Sequence, residues 1–198
     1  MGWSDFVRRR SPRVKPTALE VAAALVETIV LNTNALQARL GAEGFVWTDP
    51  DRTATDECLL ECVLFEWFLV DVAMSAEFGS RAEAVRRALP GRLLVDLQRS
   101  GLAAVAVEGL HGRCRERFAE YAEALEISAS LQPLGALAWR RISGRDEPSE
   151  RMTMLLAIRA RAELERLRGI GREYLGQRAV PALPSVSRVG PEGVGPDS

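Results

Sequence analysis

Residues 56–78 read DECLLECVLFEWFLVDVAMSAEF, a run without glycine or proline that is apolar almost all the way round a helix. A helix with so little polar surface cannot lie on the outside of a fold, so other helices have to enclose most of it. A bilayer is not the enclosure, because Glu61, Glu66 and Asp71 would each cost roughly 2.5–3.5 kcal/mol near its centre and no second span accompanies them. The segment therefore predicts an all-α fold: a single-domain bundle of six to seven helices over residues 17–176 with this helix at its centre. A chain of 198 residues is long enough for one such core.

Turning 100° per residue, Cys58, Cys62, Phe65, Leu69 and Val72 share one apolar sector of roughly 80°. Glu57, Glu61, Asp71 and Ser75 share another, which reads as the solvent stripe. Glu66 stands opposite that stripe, beside Leu59, Val70 and Ala73. A carboxylate in such company has to be paired with a cation, protonated, bound to metal or exposed at an interface. Arginine is the expected partner, since Lys15 is the only lysine among 26 basic residues. Glu66 is the candidate buried functional carboxylate.

The remaining helices announce themselves by caps and periodicity. Thr17-Ala-Leu-Glu20 is a capping box, followed by Leu19, Ala22, Ala23, Val26, Ile29, Val30, Leu36 and Leu40 at steps of three and four, up to Gly41. Ser80-Arg-Ala-Glu83 is a second box, and its helix is expected to break at Pro90-Gly91 and resume over 92–99. A long helix over 102–127 turns Val107, His111, Cys114, Phe118 and Leu125 inward, with a row of small residues, Ala103, Ala106, Gly109 and Gly112, for close helix packing. Pro133 opens the next helix, which ends at Ser143-Gly144. The last, over 148–176, places Leu155, Ile158, Ala162, Leu164, Leu167 and Ile170 among charges of both signs. Residues 177–198, rich in Pro, Gly and Ser, read as a flexible tail.

Three cysteines and a single histidine carry whatever soft-ligand chemistry the chain has. Cys58 and Cys62 stand four apart and His111 and Cys114 three apart, so two inward helix faces could supply a Cys3His set to a zinc ion. Buried cysteine is also an ordinary core residue, and the same spacing follows from that. Cys58 and Cys62 do not suit a mutual disulfide, because i,i+4 Cβ atoms lie about 5–6 Å apart. Glu108-Gly-Leu-His111 has the Glu-x-x-His spacing of di-iron bundles, but those use the motif on two helices. An odd cysteine count and no leading apolar segment point to a reducing cytoplasm.

Several chemistries are excluded. The stretch Phe45-Val-Trp-Thr48 followed by Asp49-Pro-Asp51-Arg-Thr53 resembles in outline a strand feeding the DxDxT motif of haloacid-dehalogenase-like phosphotransferases, where the first aspartate is the nucleophile. That reaction needs a lysine on the phosphate and a parallel sheet to carry the loop. The sequence offers neither, so the stretch reads as a turn before the central helix. P-loop, pyridoxal and kinase chemistry each need a lysine inside a folded element, and Lys15 lies between prolines in the leader. The two helices around Gly101 resemble a helix-turn-helix only in outline, because the second begins AAVAVEGL and offers nothing to base edges. A net charge of −1 gives no general attraction to nucleic acid, and none is expected as a partner.

Residues 1–16, MGWSDFVRRRSPRVKP, form a flexible basic leader in which Trp3 and Phe6 precede Arg8, Arg9 and Arg10. Such a segment suits a protein partner or a weak contact with an anionic membrane surface. No constellation of catalytic groups emerges. The expectation is a non-enzymatic cytoplasmic binding or regulatory protein that acts through helix faces on a protein partner or on itself. The alternatives are a zinc protein using Cys58, Cys62, His111 and Cys114, and a peripheral membrane protein using its leader.

Overall fold

The computed structural model of the chain describes residues 17–47, 55–78, 81–99, 109–128 and 130–175. The leader with Trp3, Phe6 and Arg8–Arg10, the Asp49–Thr53 stretch, the turn at Gly101 and the tail lie outside the described residues. Among them stand six helices and no strand: α1 (Ala18–Ala42), α2 (Thr55–Phe78), α3 (Arg81–Arg99), α4 (Leu110–Ile127), α5 (Gln132–Ser143) and α6 (Glu150–Leu175). The fold is an all-α bundle.

The nearly all-apolar run dictates the architecture. Helix α2 packs against all five others, while α5 pairs with α6 and α1 with α3 on either side of it. Cys58, every residue from Leu60 to Val70, and Ala73 and Met74 are buried. Phe65 and Phe68 meet Tyr121 of α4 at ring separations of 5.8 and 5.2 Å, and Phe118 lies 5.5 Å from both Trp67 and Phe68. The helix that no surface could accommodate has become the shared core of the others.

The start of α1 follows its sequence signal. Thr17 accepts from the Glu20 amide and the Glu20 carboxylate accepts from the Thr17 amide, so both halves of the capping box are made. The helix runs through Gly41 to Ala42, and the chain turns at Gly44, whose φ of 89° suits glycine. Ala22, Val26, Ile29, Leu36 and Leu40 of the expected face are buried, and Val21, Ala24 and Leu25 join them, whereas Leu19 is 71% exposed. At the other end of the chain, α5 has proline in its first turn and Gly144 as a left-handed cap.

Three expectations are corrected. Pro90 does not end a helix, for α3 continues through it from Arg81 to Arg99. Interior proline costs about 3 kcal/mol, but Ala82, Val85, Leu89, Leu93 and Leu97 form one unbroken buried stripe against α1 and α2. Each large member contributes roughly 1.5–3 kcal/mol by burial, which outweighs the proline. Arg86 also ties the helix to α2, its Nε and Nη2 donating to Asp71 at 2.6 and 2.8 Å. The solvent stripe of α2 is also narrower than expected, because Glu61 is buried beneath Arg117 of α4.

The close helix approach is likewise elsewhere than expected. Gly109 and Gly112 are exposed, Gly112 with open space around it, and Ala103 and Ala106 lie outside the described residues. The glycine that a neighbour crowds is Gly135 of α5. A β-carbon there would stand 2.3 Å from the Thr153 carbonyl oxygen and 2.9 Å from the Ala157 amide nitrogen of α6. Only hydrogen fits where these two helices touch.

Candidate functional site

Two buried carboxylates leave α2 in different directions, and each is met by an arginine from another helix. Glu61 accepts from Arg117 Nε at 3.0 and 2.9 Å, and Arg117 Nη1 reaches Glu120. Glu120 in turn accepts from Arg141 of α5 at 3.0 and 2.5 Å. The chain Glu61, Arg117, Glu120, Arg141 therefore binds α2, α4 and α5 together. Burial alone would lower the Arg117 pKa, but the hydrogen bond and charge of Glu61 outweigh it and hold the guanidinium more firmly protonated.

Glu66 has no exposed surface, and its partner is Arg159 of α6, whose Nε donates to Oε1 at 2.5 Å. Arg159 spends a second donor, Nη2, on the Asn32 carbonyl of α1 at 2.7 Å. Asn32 donates to Glu163 at 3.0 Å, and Glu163 accepts from Arg166. Burial pushes the Glu66 carboxyl up, and the charge and hydrogen bond of Arg159 pull it partly back. The expected arginine partner is present, and it joins the centre of the bundle to its surface.

That surface is a groove of about 540 Å³ between the end of α1 and the outer face of α6. Its apolar part is Met154, Leu155, Ile158 and Ala162; its charged part is Arg39, Glu43, Arg151, Arg159 and Glu163. Ile158 is 63% exposed and Met154 40%, and Ala162 is exposed as well. Sequence periodicity groups Ile158 and Ala162 with Leu164 and Leu167 without saying which side is covered, and the core is filled by Met152, Leu156, Ala157, Ala160, Leu164 and Leu167. The helix has two apolar faces, and the bundle covers one. Arg151 and Arg39 both pair with Glu43 at one end of the groove.

The soft residues do not share one setting. Cys58 and Cys62 are buried on the same face of α2, while Cys114 of α4 is half-buried. Burial pushes the Cys62 thiol pKa well up, and Glu66, Cys58 and Glu61 add to that push. Burial likewise pushes the Cys114 thiol up to about 12, with Asp71 contributing. Asp71 lies nine positions beyond Cys62, roughly 13 Å further along the helix. Among the described residues no group of three or more His, Cys, Asp or Glu side chains is placed to hold a metal. The side chain of His111, the fourth ligand of the expected zinc set, and Glu108 of the di-iron spacing lie outside the described residues.

Sequence reasoning passed over Tyr121. Its ring is fully buried beside Phe65 and Phe68, and its hydroxyl has no hydrogen-bond partner among the described residues. Burial and the nearby Glu61 charge push its pKa up, so it stays protonated. The signal was available, since Tyr121 follows Phe118 by three on the inward face of α4. Comparison of the chain with protein-family models, with curated proteins and with solved structures finds no match.

Proposed function

We propose that the protein is a non-enzymatic helical binding module of the cytoplasm, and that the groove between α1 and α6 is where its protein partner sits. The observation that carries this is the second apolar face of α6, with Met154 and Ile158 exposed between charges of both signs. An apolar centre ringed by polar groups is the anatomy of a protein-binding patch. The buried carboxylates support the same reading, because Glu61 and Glu66 are engaged by arginines and serve to fix helices. Through Arg159, Glu66 fixes the groove wall itself, so the wall is set before a partner arrives.

The test compares the full chain with Ile158→Arg, both immobilised, for proteins retained from a cell extract. Retention by the native chain and its loss in the variant, with unchanged far-ultraviolet circular dichroism, is the expected result. Equal retention by both would overturn the reading.

A further inference from the structure

The exposed face of α6 carries opposite charges at equal distances on either side of one apolar residue. At 100° per residue, Arg151, Met154, Ile158, Ala162 and Glu165 fall within a sector of roughly 80°, and all five are exposed. Ile158 is its midpoint. Seven positions before it stands a cation, Arg151, and seven after it an anion, Glu165. Four before stands the large Met154, and four after the small Ala162.

A helix with that pattern complements an antiparallel copy of itself. When two such helices meet at Ile158, each Arg151 faces a Glu165 near the centre line, and each Met154 lies diagonally across from an Ala162. Every contact occurs twice under the two-fold axis. The large residue opposite the small one lets the helices approach to the usual axial separation of about 8–10 Å. Glu165 makes no ion pair among the described residues, so its carboxylate is open to a partner. Arg151 already reaches across this surface, to Glu43.

We propose that the occupant of this face is a second copy of the chain, in an antiparallel, two-fold α6–α6 dimer centred on Ile158. The proposal rests on the binding reading given above and names its partner. One helix pair lies at the small end of protein interfaces, so the dimer is expected to dissociate at micromolar rather than nanomolar concentration.

Sedimentation equilibrium of the purified full chain between about 5 and 500 µM tests it, a range that brackets the weak association expected of a small interface. The expected result is a reversible monomer–dimer equilibrium, weakened at least tenfold by Ile158→Arg and by Glu165→Arg. Reversing both charges, in Arg151→Glu with Glu165→Arg, should restore association to within about threefold, because the pair is rebuilt with its signs exchanged. These residues are exposed, and an unchanged circular dichroism spectrum confirms folding of each variant. A monomer throughout the range, a dimer indifferent to Ile158→Arg, a mass above the dimer, or no rescue by the double reversal would each overturn the pairing. A monomer that still retains another protein through Ile158 leaves the binding reading standing. A monomer that retains none removes both.

Discussion

Arg159 Nε lies 2.5 Å from Oε1 of Glu66, a carboxylate with no exposed surface, and this contact joins the middle of the central helix to the rim of the groove. An ion pair of that kind stabilises mainly by preventing something worse. Removing one partner leaves the other buried and unpaired, which typically costs 3–5 kcal/mol. Arg159→Ala is therefore expected to lower the unfolding free energy by about 3 kcal/mol in urea titration. Replacing both, in Glu66→Leu with Arg159→Met, should recover most of that loss. A single variant as stable as the native chain would mean that water reaches Glu66 and that the pair does not hold α6 in place.

The same carboxyl sets a pH dependence whose sign is fixed. Burial raises the folded-state pKa of Glu66 above its ordinary 4.5, so the folded chain holds that proton more tightly than the unfolded one. The resulting stability is fully present below about pH 4.5 and is lost as the pH rises through the folded-state value. The amide introduced by Glu66→Gln cannot titrate. The urea midpoint of the native chain relative to this variant should therefore fall as the pH is raised from about 4 to 8. A difference that stays flat would show that Arg159 fully offsets the desolvation.

Gly135 gives a sharper steric case. A β-carbon at 2.3 Å from the Thr153 carbonyl oxygen and 2.9 Å from the Ala157 amide meets backbone, which cannot rotate aside. Gly135→Ala should force α5 and α6 apart and cost at least 1–3 kcal/mol, the usual range for overpacking, despite alanine's better helix propensity. Thermal unfolding followed by circular dichroism would register the loss. A neutral or raised midpoint would show that the two helices separate freely.

What the sequence made legible were features written within a few positions of one another. The capping box of Thr17 and Glu20, the proline start and Gly144 end of α5, and the nearly all-apolar surface of α2 each depend on a local pattern, and each stands in the structure. What stayed hidden depends on which elements meet. Glu66 and Arg159 are 93 positions apart, and nothing in either neighbourhood singles out the other. The exposure of Ile158 was hidden for a related reason. Both faces of α6 carry apolar residues at helical spacing, and periodicity does not tell which face the bundle covers.

Pro90 shows the same limit and yields its own expectation. Its ring removes one backbone hydrogen bond in the middle of α3, and the helix is kept continuous by Leu89, Leu93 and Leu97. Pro90→Ala restores the donor, while making the unfolded chain less restricted, which takes back roughly 1 kcal/mol. A net stabilisation of about 1–2 kcal/mol is expected in chemical denaturation. A loss of stability would mean that a proline bend is needed for α3 to follow α1.

The cysteines distinguish a core from a metal centre. Zinc binds thiolates, so a site assembled from Cys58, Cys62, His111 and Cys114 must overcome the raised thiol pKa values of Cys62 and Cys114. Without metal, those thiols stay protonated near pH 8, and Cys58 and Cys62 are also shielded by burial. The expected outcome for untagged protein purified without chelator is less than about 0.1 zinc per chain. A thiol reagent should meet little reaction in the native state, Cys114 reacting first, and find all three thiols after unfolding. About one zinc per chain, with the thiols masked and both zinc and thermal stability lost in Cys58→Ser, would instead make the four residues a structural centre. The arms separate cleanly, because burial hides a thiol only while the chain is folded, whereas chelation releases it only when the metal is taken.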